Sequence, residues 1–404
     1  MLMGKSIFLY VLRPNGSFLI FKMGGIIVKN RSKAIGMILT AVLVFLCSVV
    51  SYAKEGSPLI PSEILTYEYS MQLDYTEGFA VDYYKDGYVS VEMADGKKLL
   101  LIPEDAVVPN GIEADIIVLQ MPLSNLLVSN SPAVSLINAC GGVDRISMVT
   151  IERDSWYIEE VVDKMDENEI VFVGNYRSPD YEVIAKKNPP LTIIHTSVTP
   201  DNIAKFDELG LPYIVDASSN ENYAMARVEW VKLYGALLGL DEEAQKVYDD
   251  QVDIVNSLAG ASTGKTVAVF YITSKGPSVR NGGDYMAEMI DLAGGEYVLS
   301  ELNPDKGGVL KMEAEEFYAR CKDADYVLYI AGAMGEVPQS TDDLIAMNPL
   351  LADFEAVKNG RAWCTTPNFF QATHSIGNMI ENINTVLTTD DAGLEQLEYL
   401  YKLK

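Results

Sequence analysis

The sequence predicts an α/β fold of two Rossmann-like lobes joined by a single long α-helix, with a ligand cleft between the lobes. Three observations carry this reading. From about residue 114, short β-rich apolar runs alternate with helical stretches, the rhythm of βαβ units around a mostly parallel sheet. A helical pattern over 241–260 interrupts the alternation. The alternation then restarts and continues to a final helix beginning near Thr373.

The chain opens with a segment of different character. Residues 1–53 hold six basic side chains and no acidic one, and "KNRSKAIGMILTAVLVFLCSVVSYAKEG" places Lys29, Arg31 and Lys33 before an apolar run from Ala34 to Val50. Ser51 and Ala53 fit the small-residue positions of a signal-peptidase site, so 1–53 is read as an export signal cleaved after Ala53. Cys47 offers lipid anchoring as a second reading, although Phe45 and Leu46 stand where such a site wants small residues. Met23 would open a more ordinary signal than Met1 does.

Residues 54–240 are expected to form the N-terminal lobe. "EYSMQLDYTEGFAVDYYKDGYVSVEMADGKKLLLIPED" alternates apolar and polar residues between the turn signals "KDG" and "ADG", which reads as antiparallel hairpin strands at a sheet edge. "ADIIVLQMP" is then the first strand of the βαβ series and "NLLVSNSPAVSLINACGG" its helix; "DRISMVTIE", "EIVFVGNY", "LTIIHTS" and "LPYIVDAS" supply further strands. "ENYAMARVEWVKLYGALLGL" repeats apolar residues at helical spacing and stops at Gly239. Residues 241–260 are the inter-lobe helix, with an acidic first turn that suits the helix dipole. Residues 261–404 form the C-terminal lobe.

Composition bounds the function classes. The 404-residue chain has 49% hydrophobic residues, enough for substantial cores, and a formal charge of −26. Beyond residue 53, 25 basic residues face 57 acidic ones, so nucleic acid is repelled and is not an expected partner. The four cysteines, Cys47, Cys140, Cys321 and Cys364, are widely spaced and form no CxxC, so buried free thiols are expected rather than a disulfide framework.

"LAGASTGKTVAVFY" resembles a phosphate-binding loop, but Gly260 and Gly264 are separated by three residues where the motif needs four. The order is also reversed, because a helix precedes the glycines and a strand follows them. An anion would therefore meet the wrong end of the helix. Only two histidines, His195 and His374, are present, which argues against a bare-ion metal site. No G-x-S-x-G elbow or other catalytic constellation stands out, so neither a catalytic residue nor a resident cofactor or metal is assigned. What remains are the loops following strands, where open α/β sheets bind ligands. From these we take Met121, Trp156, Tyr176, Arg177, His195, Tyr271, Arg280, Phe369 and Phe370 as candidate ligand contacts. Aromatics with a few cations suit a large planar or chelate-like ligand bearing some negative charge.

Six stretches occur in one order: "EGFAVDYYKDGYVSVEMADG", "VFVGNYRSPDYEVIAKKNPPLTII", "ARVEWVKLYGALLG", "VAVFYITSKGPSVRNGGDYMAEMIDLAGG", "MEAEEFYARCKDADYVLYI" and "LLADFEAVKNGRAW". From about Tyr67 to its end the chain thereby resembles the class III extracytoplasmic solute-binding proteins of ABC importers, which serve ferric siderophores, haem and cobalamin. The resemblance implies two lobes on a stiff connecting helix, a monomer, and capture of a small-molecule iron chelate in the cleft. A ferric siderophore is the first choice, with a corrinoid or haem as alternatives; Tyr176, Tyr271 or His195 would then be the residues to ligate a haem iron. It implies delivery to a membrane permease whose partner ATPase hydrolyses the ATP, and no enzymatic activity of the chain itself. It also implies docking through one carboxylate per lobe: Glu182 in "SPDYEVIAKKNPP", and Glu315 in "MEAEEFYA" with Glu316 as the alternative. Capture of a free metal ion, or an exported α/β enzyme or sensor, stand as the competing readings.

Overall fold

The computed structural model describes residues 7–12, 18–23, 58–260, 262–332, 337–389 and 393–404. The apolar run 34–50, Cys47 and Ala53 lie outside the described residues. Within residues 1–57, strands β1 (Ile7–Leu12) and β2 (Phe18–Met23) pair antiparallel. All that follows concerns the separate compact unit Pro58–Lys404.

That unit begins with a sheet of its own. Strands β3 (Tyr67–Ser70), β4 (Phe79–Tyr84), β5 (Val89–Met93) and β6 (Lys98–Ile102) pair antiparallel in succession, and β7 (Ile116–Gln120) joins β6 in parallel. Two expectations are corrected here. The hairpin strands are not the edge of the lobe sheet, and "ADIIVLQMP" pairs with them rather than opening the βαβ series. The lobe sheet instead starts with β8 (Leu126–Val128), taken from the segment assigned to a helix. All three of its residues are buried, the pattern of a strand covered on both faces. The helix of that segment begins only at Ser131.

The N-terminal lobe carries the parallel sheet β10-β9-β8-β13-β14, with β9 (Ile146–Val149), β10 (Val171–Phe172), β13 (Thr192–His195) and β14 (Tyr213–Asp216). A small ribbon, β11 (Gly174–Asn175) with β12 (Ser178–Pro179), lies outside it. Helices α1 (Ser131–Ala139), α2 (Glu159–Asp166), α3 (Tyr181–Lys187) and α4 (Pro200–Glu208) connect the strands. Alternation sends neighbours to opposite faces: Ile193 joins the large core, while Ile194 joins a smaller one with Leu127, Ile184 and Phe206.

Two short helices follow, α5 (Ala224–Glu229) and α6 (Val231–Leu238), and then α7 (Asp241–Ser257). Gly239 ends α6 in the left-handed region, with φ of 69°. Helix α7 packs on α6 and on the last helix, α12 (Ile376–Thr388). Gln251 of α7 donates to Asn378 Oδ1 (3.0 Å) and accepts from the Asn378 amide (3.3 Å). Gly260 and Gly264 follow this helix and precede β15 (Thr266–Thr273), the reverse of the order a phosphate loop needs.

The second sheet runs β18-β16-β15-β19-β20-β21, with β17 also on β15. Its strands are β16 (Gly276–Arg280), β17 (Glu296–Tyr297), β18 (Val309–Lys311), β19 (Tyr326–Tyr329), β20 (Ala362–Thr365) and β21 (Leu400–Lys402). Strands β15, β19 and β20 are parallel, and β16, β18 and β21 add antiparallel neighbours. Helices α8 (Tyr285–Leu292), α9 (Ala314–Cys321), α10 (Thr341–Met347) and α11 (Glu355–Lys358) complete this part.

One hydrophobic core runs from Phe79 of the first sheet through Trp230 and Tyr248 to Leu403, so the N-terminal sheet is built into the unit. A buried carboxylate locks it there. Glu229 accepts from the amides of Asp74 (2.6 Å), Tyr75 (2.8 Å) and Thr76 (2.9 Å), in the turn between β3 and β4. A Cβ added at Gly78, beside that turn, would lie 2.4 Å from the Trp230 ring. The close approach therefore needs glycine.

Candidate functional site

A cavity of about 440 Å³ opens where the two α/β parts face each other, within the size range of small-molecule sites. One wall comes from the carboxyl ends of β8, β9 and β13, which present Ser129 and Asn130, Thr150 and Ile151, and His195. This is where the parallel strands end and their side chains are released from the sheet. The other wall is Tyr285 at the start of α8, Phe369 and Phe370 after β20, and Thr373, Ile376 and Met379. Phe369 and Phe370 meet edge to face, with centroids 5.4 Å apart.

Local chemistry explains the first wall. Asn130 caps α1, its Oδ1 accepting from the Ala133 amide at 3.0 Å, with Pro132 preset for the first turn. The cap fixes the orientation of the amide group, so Nδ2 faces away from the helix; it is buried and has no hydrogen-bond partner. Thr150 Oγ1 donates to Ser129 O (2.8 Å), and Ser129 Oγ accepts from the His195 amide (2.8 Å), tying the three strand ends together.

His195 lies edge-on to Tyr176, centroids 6.1 Å apart. Its Nδ1 accepts from the Ser197 amide at 3.0 Å. Burial holds its pKa below the ordinary imidazole value, so the ring is neutral at pH 7 and its proton sits on Nε2. His195 therefore offers a ligand a donor. A metal-bound imidazole has the opposite arrangement, with its second nitrogen donating. Behind it, Asp216 is fully buried, receives hydrogen bonds from Ser218 and the Tyr234 hydroxyl, and has its pKa raised by burial.

At the floor stands Arg227 of α5. Its Nε donates to Glu221 O (3.0 Å) and its Nη2 to Ser219 O (2.5 Å), and the guanidinium lies 3.6 Å from the Tyr285 ring centroid. Burial pulls its pKa below the ordinary arginine value, against the opposing pull of Asp284 and Glu221. Neighbouring Arg280 is nine-tenths buried, 3.8 Å from Asp284, with its Nε unpartnered.

The two walls also touch beside the cavity. Gln371 accepts from the Tyr157 amide (2.9 Å) and donates to Ser155 O (2.7 Å). His374 Nδ1 bonds Ser135 Oγ of α1 at 2.8 Å.

Of the sequence-derived contacts, Tyr176, His195, Phe369 and Phe370 line the cavity. The others sit elsewhere, each for a packing reason. Trp156 is buried beside the rim and donates to Ile151 O at 3.1 Å. Arg177 is exposed, its guanidinium 5.2 Å from the Tyr176 ring. Tyr271 is buried within β15, opposite Ser278. Arg280 is buried at the end of β16, 3.8 Å from Asp284. Met121 packs near Gly239 at the end of α6. Ser129, Asn130, Arg227 and Tyr285 were missed. "NSP" after an apolar run is a cap signal that could have revealed Asn130; a lone arginine in the apolar helix "AMARVEW" was the only hint of Arg227.

Glu182 and Glu315 are both exposed, in the first turns of α3 and α9. Glu316 is engaged by Arg320 at 2.9 Å, whereas Glu315 has no ion pair among the described residues. No group of three or more His, Cys, Asp or Glu among the described residues is placed to hold a metal ion.

Comparison with known proteins gives three results. Residues 148–368 match the family model described as periplasmic binding protein. An uncharacterized lipoprotein of Methanocaldococcus jannaschii is 29% identical over 333 residues, covering 77% of this chain and 78% of the relative. A second uncharacterized lipoprotein of that organism is 25% identical over 346 residues, covering 82% and 86%. Among solved structures, a periplasmic haem-binding protein of Vibrio cholerae superposes with a TM-score of 0.54 at 18% identity, over 65% of this chain and 99% of that one. A possible iron-binding periplasmic solute-binding protein of Staphylococcus epidermidis superposes with a TM-score of 0.51 at 15% identity, over 65% and 98%. At these identities the superpositions speak to the fold.

Proposed function

The chain belongs to the periplasmic binding protein family, and from that membership we propose that it is the extracytoplasmic capture subunit of an ABC importer for an iron chelate. Its fold is that of the helix-linked class. A ferric siderophore is the first substrate, and haem or a corrinoid the alternatives. The observation that carries the reading is the cavity itself. It lies at the carboxyl ends of a parallel sheet, between two α/β parts, lined by Tyr176, Tyr285, Phe369 and Phe370 with donors at Asn130, His195 and Arg227. Aromatic faces with a few convergent donors bind a bulky, oxygen-rich chelate.

In this reading residues 54–240 and 261–404 are the two lobes and 241–260 the connecting helix. Binding closes the cleft by small rotations, because α7 packs on both lobes and bends reluctantly. Glu182 and Glu315 then meet arginines of the permease. Such carboxylate–guanidinium pairs set register and charge complementarity more than affinity. The leader 1–53 exports the chain, which stays at the outer membrane face through Cys47 or is released after Ala53. The lipoprotein relatives favour the anchored form.

Tryptophan fluorescence tests the substrate class, since Trp156 packs beside the rim. Titration of the purified protein with a ferric siderophore, haem and cyanocobalamin should give saturable binding to one of them at micromolar concentration or below. No binding to any of the three would overturn the chelate assignment.

A further inference from the structure

Two donor groups line the cavity. The first is the N-terminus of α1. Asn130 is 5% exposed, its Oδ1 is occupied by the Ala133 amide, and its Nδ2 lacks any hydrogen-bond partner. The second is Arg227. Its Nε and Nη2 are held by the carbonyls of Glu221 and Ser219, its ring partner is Tyr285, and no carboxylate lies within ion-pair distance of it among the described residues. The short turn Ser218–Asn220, which accepts from Arg227, packs on α1. Asn130, Ser219 and Arg227 all line one cavity.

The hydrogen bonds of the neighbouring carboxylates point the same way. Two carboxylates face Arg227 and Arg280 and both are engaged: Asp284 accepts from the amides of Met286 and Gly308 at 3.0 and 2.8 Å, and Glu221 accepts from Thr76 Oγ1 and, at 3.0 Å, from Trp230 Nε1. The lining contains one carboxylate, Glu152, and it is exposed. A buried amide donor without a partner is a costly arrangement unless a ligand completes it, and a guanidinium with no carboxylate at ion-pair distance beside it can take a further acceptor. A helix N-terminus beside them adds its own preference for negative charge.

We propose that the cavity holds an oxyanion subsite formed by Asn130 Nδ2, the N-terminus of α1 and the Arg227 guanidinium, which takes a carboxylate or phosphate group of the captured molecule. This rests on the reading of the chain as a ligand-capturing subunit and narrows it to ligands that present such a group. Tyr285 supports Arg227 from below, and the phenyl rings of Phe369 and Phe370 cover the apolar remainder of the ligand.

The experiment uses the full chain with three probes: haem, whose two propionates are free carboxylates; haem dimethyl ester, which lacks them; and citrate, a small tricarboxylate. The variants are Asn130→Asp, which keeps an efficient cap but replaces the donor with a negative charge, and Arg227→Gln. If the subsite exists, haem binds at least about 10-fold more tightly than its ester. Arg227→Gln then loses about 10–100-fold in haem affinity, the range for hydrogen bonds to a charged group. Asn130→Asp loses a comparable amount while its unfolding temperature without ligand stays at the wild-type value. Haem and ester binding equally would overturn the subsite and leave the importer reading intact. If neither porphyrin binds but citrate raises the unfolding temperature of the wild type and not of Asn130→Asp, the subsite stands and haem leaves the substrate class. No shift with citrate and no porphyrin binding would overturn it.

Discussion

Replacing Glu229 by Gln should destabilise this protein severely, and the structure sets the scale. The carboxylate is wholly buried, accepts three backbone amides at 2.6–2.9 Å, and pairs with Lys232 at 3.1 Å, itself 5% exposed. Glutamine matches the shape but turns one acceptor oxygen into an NH₂ group facing backbone amides, and it leaves the Lys232 charge buried without its counter-ion. Breaking a buried pair from one side costs about 3–5 kcal/mol. With an unfolding entropy of about 2.1 cal/mol/K per residue across a unit the size of Pro58–Lys404, that lowers the melting temperature by about 5 °C. Urea unfolding followed by tryptophan fluorescence is a suitable assay, because Trp230 packs beside the locked turn. Lys232→Met should cost less, because the three amides still hold Glu229 and the methionine fills the same apolar space. A loss below about 1 kcal/mol for Glu229→Gln, or a larger loss for Lys232→Met, would refute the argument that the amides make this carboxylate the lock.

Other outcomes are checkable with simpler means. Cys140, Cys321 and Cys364 are buried and free, and burial pushes their thiol pKa values to about 11 for Cys140 and about 12 for the other two. A thiol reagent at pH 8 should therefore label none of them in the native protein and all three in urea; native labelling of any one would show that its cover opens readily. Burial also holds His374 below the ordinary imidazole pKa, outweighing the opposing pull of Glu398 and Glu160. The unfolded chain then binds the proton first, so His374 makes stability fall as pH drops below about 6.5. His374→Gln should flatten that part of the melting-temperature profile between pH 6.5 and 5, and an unchanged slope would remove His374 as its source. Replacing Glu182 and Glu315 together by Ala should abolish uptake while ligand binding and melting temperature stay unchanged; normal uptake would remove both from the permease contact.

Much of the chain could be read locally. The alternation of strand and helix from β9 to β20 is visible because strand and helix periods are written within a few residues of each other. Gly239 as a helix stop and the reversed order around Gly260 and Gly264 were equally legible. The errors occurred where pairing partners decide. Nothing within "ADIIVLQMP" says that it lies beside β6 instead of opening the lobe sheet. Choosing between "ADIIVLQMP" and "NLLV" as the lobe's first strand required knowing which of them is covered on both faces. The candidate contacts divided in the same way. Tyr176, His195, Phe369 and Phe370 follow strand ends directly, whereas Tyr271 and Arg280 belong to strands whose neighbours bury them.

By itself, then, the sequence determined the two-lobed α/β class, the acidic balance of the chain, the free state of Cys140, Cys321 and Cys364, and three of the four Tyr and Phe residues that line the cavity. These depend on composition and short-range period. Only the tertiary structure decided that the N-terminal strands form a separate sheet locked through Glu229, and that Asn130, Ser219 and Arg227 share one floor. A cavity is the space left when distant segments pack, and the partners that leave Asn130 Nδ2 unsatisfied come from across the chain. No local period records that.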